Sequence, residues 1–194
     1  MKFLTVFCSL VLCVCMLCSF LPTRTENEIL SDTVRLHVIA NSDDTTDQMI
    51  KLAVRDVILD KLNAILSHAS DKTDVEKVIL ENLDELRGVA DDALESMGAD
   101  AMATVVFSTE YYPEKRYDGY TLPAGEYLSL QVRIGSGEGR NWWCVLYPQL
   151  ALGASKNSDT AVRTGFSSEQ IEILTGGDKV QYKLKFKLLE LFRW

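Results

Sequence analysis

The sequence predicts an α+β fold: an N-terminal apolar leader, then a strand and two helices, followed by a mostly antiparallel β-sheet packed on those helices. Three observations support this prediction. Residues 3–21 carry no charge, residues 45–97 place apolar side chains at steps of three and four, and residues 101–188 contain several stretches of alternating side chains. Helices followed by a run of strands are typical of α+β layer folds.

The leader is bounded by basic residues, with Lys2 before the apolar stretch and Arg24 after it. A stretch of ~20 apolar residues can cross a bilayer, and a positive start with an apolar middle is also typical of a signal peptide. We therefore expect residues 1–24 to be a signal peptide or a membrane anchor, contacting the membrane through residues 3–21. Residues 25–194 are then expected to form a single extracytoplasmic domain.

A polar turn separates the first strand from the first helix. Residues 35–40 predict a short strand, and residues 41–44 are typical of a turn. A helix is predicted from Thr45 to about His68, because Gln48 lies at the capping-box spacing from Thr45.

A second helix is predicted to begin at Thr73, where Glu76 repeats the capping-box spacing. Apolar residues then recur at helical steps as far as Met97, and Gly98 is a typical C-terminal cap. The remaining positions are strongly acidic, which we interpret as a solvated helix face.

The second half of the chain predicts four strands, because β-branched, aromatic and alternating residues dominate it. The predicted strands cover residues 101–112, 126–134, 142–147 and 180–188. Residues 151–168 are small and polar and predict a loop, with a short helix from Ser167 to Leu174.

A glycine-rich stretch, Gly135 to Gly139, precedes the third of these strands. It lacks the Gly-Lys-Ser/Thr ending of a phosphate-binding loop, and no helix follows it as a dinucleotide site requires. We therefore expect a hairpin loop that joins the 126–134 and 142–147 strands.

Composition excludes several classes of function. The net charge of −8 argues against nucleic-acid binding, which requires a basic surface. Outside the leader the chain has one cysteine, Cys144, so an internal disulfide cannot stabilise the exported part. His37 and His68 lie far apart in sequence without zinc-ligand spacing, and we predict no metal site and no cofactor.

Adjacent tryptophans follow the glycines. Trp142 and Trp143 must point to opposite faces of a strand, so one can fill the core. The other is either covered by further elements or exposed as an anchor for a protein partner. Arg140 and Asn141 would supply a polar rim, and residues 140–143 form our first candidate for a partner-binding surface.

Cys144 allows one alternative, a cysteine hydrolase. A triad of Cys144 and His37 with Asn41 or Asn141 would satisfy the residue types that such an enzyme requires. However, Cys144 lies in mid-strand without a nucleophile signature, a position usually taken by a small buried hydrophobe.

Four segments resemble the stage II sporulation protein R family. They are RLHVIANSD at residues 35–43, LPAGEY at 122–127, the glycine stretch and NWWCVLYP within 135–148, and KFKLLE at 185–190. Members of that family commonly carry a second cysteine shortly after the NWWCVLYP block, where this chain has Ala151. This departure leaves Cys144 without the shared role that a cysteine pair would imply.

The resemblance implies a signalling protein of spore formation with no catalytic activity of its own. Such proteins are made in the forespore and exported into the space between the two membranes. There they activate a membrane-embedded aspartyl protease of the mother cell, which processes the precursor of sigma factor E. A second candidate surface for this contact is formed by His37, Asn41 and Asp43, although these residues would equally serve to hold their turn together.

Overall fold

The computed structural model describes residues 2–19, 23–117, 120–148 and 166–175. Its helices are α1 (Lys2–Ser19), α2 (Arg24–Asp32), α3 (Thr45–Ile65), α4 (Lys72–Glu81), α5 (Leu83–Ser96) and α6 (Ser168–Thr175). Its strands are β1 (Val34–Ile39), β2 (Ala103–Tyr112), β3 (Lys115–Tyr117), β4 (Tyr120–Leu122), β5 (Gly125–Ile134) and β6 (Asn141–Tyr147). This is the α+β class that the sequence predicts.

The main sheet has the strand order β2-β5-β1-β6. β5 pairs antiparallel with β2 and parallel with β1, and β1 pairs antiparallel with β6. The sheet is therefore mixed, with one parallel pairing at its centre. β1, buried along its whole length, lies between the two strands that the sequence suggested were neighbours.

The predicted hairpin between β5 and β6 is wrong, because these two strands are not adjacent in the sheet. The glycine stretch instead carries the chain across the end of β1. Gly135 and Gly137 have φ angles of 55° and 65°, a region in which glycine avoids the steric clash of a Cβ atom. The glycines thus form a turn, as expected. However, this turn connects two strands that lie on either side of β1, whereas a hairpin would connect adjacent strands.

One face of the sheet carries the main hydrophobic core beneath α3, α4 and α5. Leu36 and Val38 of β1, together with Leu130 and Val132 of β5, meet the apolar residues of these helices. Val54 and Ile58 of α3, Ile79 of α4 and Leu86 and Ala90 of α5 are fully buried there.

The second predicted helix is interrupted, so three helices cover this face instead of two. Asn82 leaves the helical region with φ −115° and ψ 13°, and its side chain donates a hydrogen bond to Val78 O at 2.7 Å. Asparagine competes with helix continuation through such local hydrogen bonds. The apolar residues keep their helical spacing across Asn82. The sequence pattern therefore does not indicate the end of one helix and the start of the next.

The predicted capping boxes at Thr45 and Thr73 are also wrong. The N-cap residues are Asp44 and Asp71, and Asp71 accepts from the backbone N–H of Asp74. A complete capping box, made by Thr23 and Glu26, forms instead at the start of α2, a helix that the sequence analysis did not predict.

The opposite face of the sheet, the outer face, is covered by a second layer. Ile29 of α2, Tyr120 and Leu122 of β4, and Ile171 and Leu174 of α6 form a second hydrophobic cluster there. The short helix predicted at residues 167–174 is thus confirmed. The predicted strand at residues 180–188 and most of the loop at 151–168 lie outside the described residues.

α1 coincides with the apolar leader. Among the residues that the structure describes, no helix has both the length and the apolar character needed to cross a membrane. A signal-peptide or anchor role for residues 1–24 stays a prediction.

Candidate partner-binding surface

The glycine stretch and the Asn41–Asp43 turn form one hydrogen-bonded unit at the end of β1. Gly139 N–H donates to Ala40 O at 2.9 Å, and Glu138 N–H donates to Asn41 O at 3.2 Å. Ser136 adds a backbone bond to Asn41 Oδ1 at 3.0 Å and a hydroxyl bond to Asn41 O at 2.8 Å. Two segments proposed separately from the sequence are therefore parts of a single surface.

Gly139 allows this close approach. A Cβ atom at this position would overlap Ser42 O and would lie 2.5 Å from the Ser42 carbonyl carbon and 2.9 Å from Ala40 Cβ. The glycine is needed for space, since its φ angle lies outside the left-handed region.

Asp47, in the first turn of α3, binds the Asn41–Asp43 segment through two hydrogen bonds. Its Oδ2 atom accepts from Asn41 Nδ2 at 2.9 Å and from Ser42 Oγ at 2.6 Å. Both hydrogen bonds lower the pKa of the Asp47 carboxyl group, and the bond from Ser42 has the larger effect. Asn41 thus joins α3, β1 and the glycine stretch through one side chain, which accounts for an amide at this position.

Lys51 of α3 also holds this hydrogen-bonded unit in place. The sequence analysis did not identify it. Only 5% of Lys51 is exposed, and its Nζ donates to Gln48 Oε1 at 2.7 Å and to Arg140 O at 3.0 Å. Burial, and then the nearby charges of Arg140 and Arg55, lower its pKa. The sequence feature that could have indicated this role is the position of Lys51 directly beside the apolar stripe of α3.

Arg140 and Asn141 form the exposed part of this surface. Arg140 N–H donates to Asp43 Oδ1 at 2.8 Å, and the Arg140 Nε atom lies 3.7 Å from the same carboxylate oxygen. The Arg140 and Asp43 side chains remain 74% and 62% exposed, so their ion pair contributes little to stability. Their charged groups are accessible, while hydrogen bonds to Asp43 Oδ1 and from Lys51 Nζ hold the Arg140 backbone.

The two tryptophans point to opposite faces, as predicted. Trp142 packs against the helix-side core, with the Arg55 guanidinium 5.1 Å from its ring centroid. Trp143 lies on the outer face, 5.6 Å from the His37 ring and 5.9 Å from the Tyr112 ring. Both are partly buried, and each indole packs against neighbouring side chains.

His37 does not share the surface of Asn41 and Asp43. It lies in mid-strand, 6% exposed, and its Nδ1 atom is 2.8 Å from Glu110 Oε1. The second candidate surface is therefore divided: Asn41 and Asp43 belong to the glycine unit, whereas His37 belongs to the covered outer face.

The proposed thiol–imidazole pair is not formed. Cys144 pairs with Leu36 and packs against the helix-side core, whereas His37 pairs with Trp143 and lies on the outer face. Side chains on opposite faces of a sheet cannot exchange a proton directly. Burial also raises the pKa of the Cys144 thiol, which disfavours the reactive thiolate. The hydrolase alternative is wrong for these two residues.

Comparison with known proteins agrees with the resemblance seen in the sequence. A family model described as stage II sporulation protein R matches residues 30–157. The stage II sporulation protein R of Bacillus subtilis (strain 168) is 33% identical over 132 residues, covering 66% of this chain and 59% of the relative. No solved structure matches. Since the family model covers more than half of the sequence, this chain belongs to the stage II sporulation protein R family.

Proposed function

We propose that this protein is an exported signal of spore formation that acts by binding another protein. It is delivered from the forespore into the space between the two membranes. There it binds and activates the membrane-embedded aspartyl protease of the mother cell that processes the precursor of sigma factor E. Family membership, the apolar leader and the acidic composition support this function.

The observation that carries the proposal is that hydrogen bonds hold the backbone beneath the exposed Arg140 and Asn141 side chains. Arg140 N–H donates to Asp43 and Lys51 donates to Arg140 O, so the backbone of Arg140 is held in place while its side chain stays exposed. A surface that is ordered before binding loses less conformational entropy in the complex. Arginine is also enriched among residues that dominate binding energy.

This surface would work by binding the active state of the protease more tightly than its inactive state. A ligand shifts such an equilibrium only by its difference in affinity for the two states. No chemical step on this chain is required.

The test is the double substitution Arg140→Ala and Asn141→Ala in sporulating cells. We expect the variant to accumulate normally and processing of the sigma factor precursor to be strongly reduced. Arg87→Ala on α5 is the matched control, because Arg87 is an exposed arginine whose side chain is 54% accessible. Normal processing by the double variant would remove this surface from the mechanism.

A direct measurement complements the cellular test. The full-length protein and the protease, both in detergent, should co-purify, and the double substitution should reduce the amount recovered. Equal recovery with the double variant and with Arg87→Ala would place the contact elsewhere.

A further inference from the structure

β2 lies at one side of the main sheet, and its outward edge is long and regular. Among the described residues, β2 pairs only with β5. The pairing runs without interruption from Ala103 opposite Ile134 to Tyr112 opposite Gly125. The strand contains neither lysine nor proline. Proteins usually protect long edge strands from further pairing with such residues or with bulges, so this edge is suited to accept another strand.

Alternate residues of β2 direct their backbone groups away from β5. Gly135 N–H donates to Met102 O at 3.0 Å, which identifies these two residues as a hydrogen-bonded pair. Hydrogen-bonded and non-hydrogen-bonded pairs alternate in an antiparallel ladder. The odd-numbered residues from 103 to 111 therefore point their N–H and C=O groups outward. Ala103 N–H accordingly donates to Asp91 Oδ1 of α5 at 2.7 Å.

The two faces of this edge differ in polarity. Val105 and Phe107 are partly buried and pack against the main core, which places the odd-numbered side chains on the helix side. Tyr112 contacts the Trp143 ring on the outer face, so the even-numbered side chains belong to that face. There Val106 is exposed. A strand beside β2 therefore requires apolar side chains on the helix side and polar side chains on the outer face.

The C-terminal part of the chain contains a segment with this pattern. Residues 180–188, which lie outside the described residues, alternate five apolar side chains with one glutamine and three lysines. These nine residues match the length of β2 between positions 103 and 111. Their apolar side chains would extend the core beside Val105 and Phe107, and the lysines would stay in water. A shift of one residue would place the lysines against the core, so the pattern determines which backbone groups face β2.

The position of α6 brings this segment to the correct end of β2. Leu174, near the end of α6, shares a hydrophobic cluster with Leu122. Three residues after Leu122, Gly125 pairs with Tyr112, the last residue of β2. The chain from the end of α6 to Val180 can span up to about 17 Å. The segment can therefore begin beside Tyr112 and run antiparallel to β2.

Charge and strand geometry also favour this pairing. α5, which donates the Asp91 contact to β2, contains five acidic residues and one basic residue. Residues 176–194 contain five basic and two acidic residues, and opposite charges attract. β6, at the other side of the sheet, has seven residues, and its pairing with β1 is interrupted between Val34 and Arg35. β2 is therefore the better match in length and regularity.

We infer that residues 180–188 pair antiparallel with β2 as a fifth strand of the main sheet, with Leu184 opposite Phe107 and Lys183 opposite Ser108. The N–H groups of the apolar residues then donate to the outward carbonyl groups of β2. The N–H groups of the lysines face solvent. The C-terminal segment thus occupies an edge that would otherwise accept a strand of another molecule.

The test is amide hydrogen exchange of the ¹⁵N-labelled full-length protein in detergent micelles, followed by NMR. In the unmodified protein, we expect the amides of Val105, Phe107 and Thr109 to be protected, like the even-numbered amides that bond to β5. Leu184→Pro removes an N–H that faces β2, and it should abolish the protection of these three amides while the even-numbered amides stay protected. Lys185→Pro is the matched control and should leave every amide of β2 protected, because proline is tolerated where the N–H of an edge strand faces solvent.

A second measurement does not depend on proline. In the Ser108→Cys, Lys183→Cys variant, the two positions form a non-hydrogen-bonded pair with Cα atoms about 4.5 Å apart, within the range of about 4.4–6.8 Å that a disulfide requires. We expect oxidation to join them, and peptide mapping by mass spectrometry identifies this bond among those of the native cysteines. Thr104→Cys with Lys183→Cys is the matched control and should form no such bond, because four residues along a strand span roughly 13 Å.

Three results would overturn the inference. The first is rapid exchange of the amides of residues 105, 107 and 109 in the unmodified protein. The second is protection that persists in the Leu184→Pro variant or is lost on dilution, since either would indicate a different occupant such as a second copy of the chain. The third is an equal yield of disulfide in the two double-cysteine variants.

Discussion

The substitution Gly139→Ala tests whether the glycine stretch must touch the end of β1. The added Cβ would lie 2.5 Å from the Ser42 carbonyl carbon, whereas carbon atoms in favourable contact are about 3.5–4 Å apart. The chain must therefore move by roughly 1 Å to accommodate a methyl group of ordinary contact distance. Since Ser42 O and the Ser42 carbonyl carbon are backbone atoms and Ala40 Cβ does not move with side-chain rotation, no side-chain rotation can relieve the clash.

A movement of this size removes specific hydrogen bonds. Gly139 N–H to Ala40 O and Glu138 N–H to Asn41 O are the first to be lost. Each such bond contributes about 1 kcal/mol, and each group left buried without a partner costs ~1–3 kcal/mol. We therefore expect Gly139→Ala to lower the free energy of unfolding by about 2–4 kcal/mol.

The assay is urea unfolding of the purified protein, followed by far-UV circular dichroism. Gly88→Ala is the matched control, because Gly88 lies inside α5 and a methyl group added there would meet no neighbouring atom within 4 Å. Alanine is favoured over glycine in a helix by about 0.8–1.0 kcal/mol, so this control should be more stable than the unmodified protein. Equal stability of Gly139→Ala and the unmodified protein would refute the reasoning.

Three further outcomes are expected. Lys51→Met should destabilise the protein by ~1–3 kcal/mol in the same unfolding assay, because Arg140 O loses its buried donor; Lys77→Met, at an exposed site of α4, should have no measurable effect. The pKa of Asp47 is lowered in the folded protein, so its stabilising contribution is present above pH ~4 and is lost as the pH falls through the folded pKa. The stability difference between the unmodified protein and Asp47→Asn should accordingly be largest near neutral pH and shrink in acid, and a constant difference across pH would contradict this account. Cys144→Ala should support normal sigma factor processing in sporulating cells, since the thiol acts as a small packing group; loss of processing by a folded, normally abundant variant would show a chemical role.

Periodicity along the chain predicted the long strands well, whereas the helix predicted from Thr73 to Met97 is two helices. The strands expected at residues 35–40, 126–134 and 142–147 correspond to β1, β5 and β6 within a residue at each end. Side chains that alternate or recur at helical steps report which face is buried. β3, β4 and α2 were missed, because β3 and β4 contain three residues each and α2 is largely polar.

The positions of the candidate residues were predicted in part, and their role in binding a partner stays a prediction. Arg140 and Asn141 lie at an exposed tip, and Asn41 and Asp43 lie beside them. His37 was assigned to the wrong place, because a polar residue inside a buried strand can face either layer until the strand pairing is known. Lys51 was missed for a related reason: its acceptor, Arg140 O, lies 89 residues away in the sequence.

By itself, the sequence determined the class of fold, the long elements, the tight turn at the glycines and membership of the sporulation family. These properties depend on residue order over short distances, where apolar spacing and turn chemistry act directly. Only the tertiary structure decided that β1 lies between β5 and β6, that Cys144 and His37 occupy opposite faces, and that β2 is an outermost strand of the described sheet. Those outcomes depend on contacts between distant segments, whose free energy arises from packing and hydrogen bonding in three dimensions.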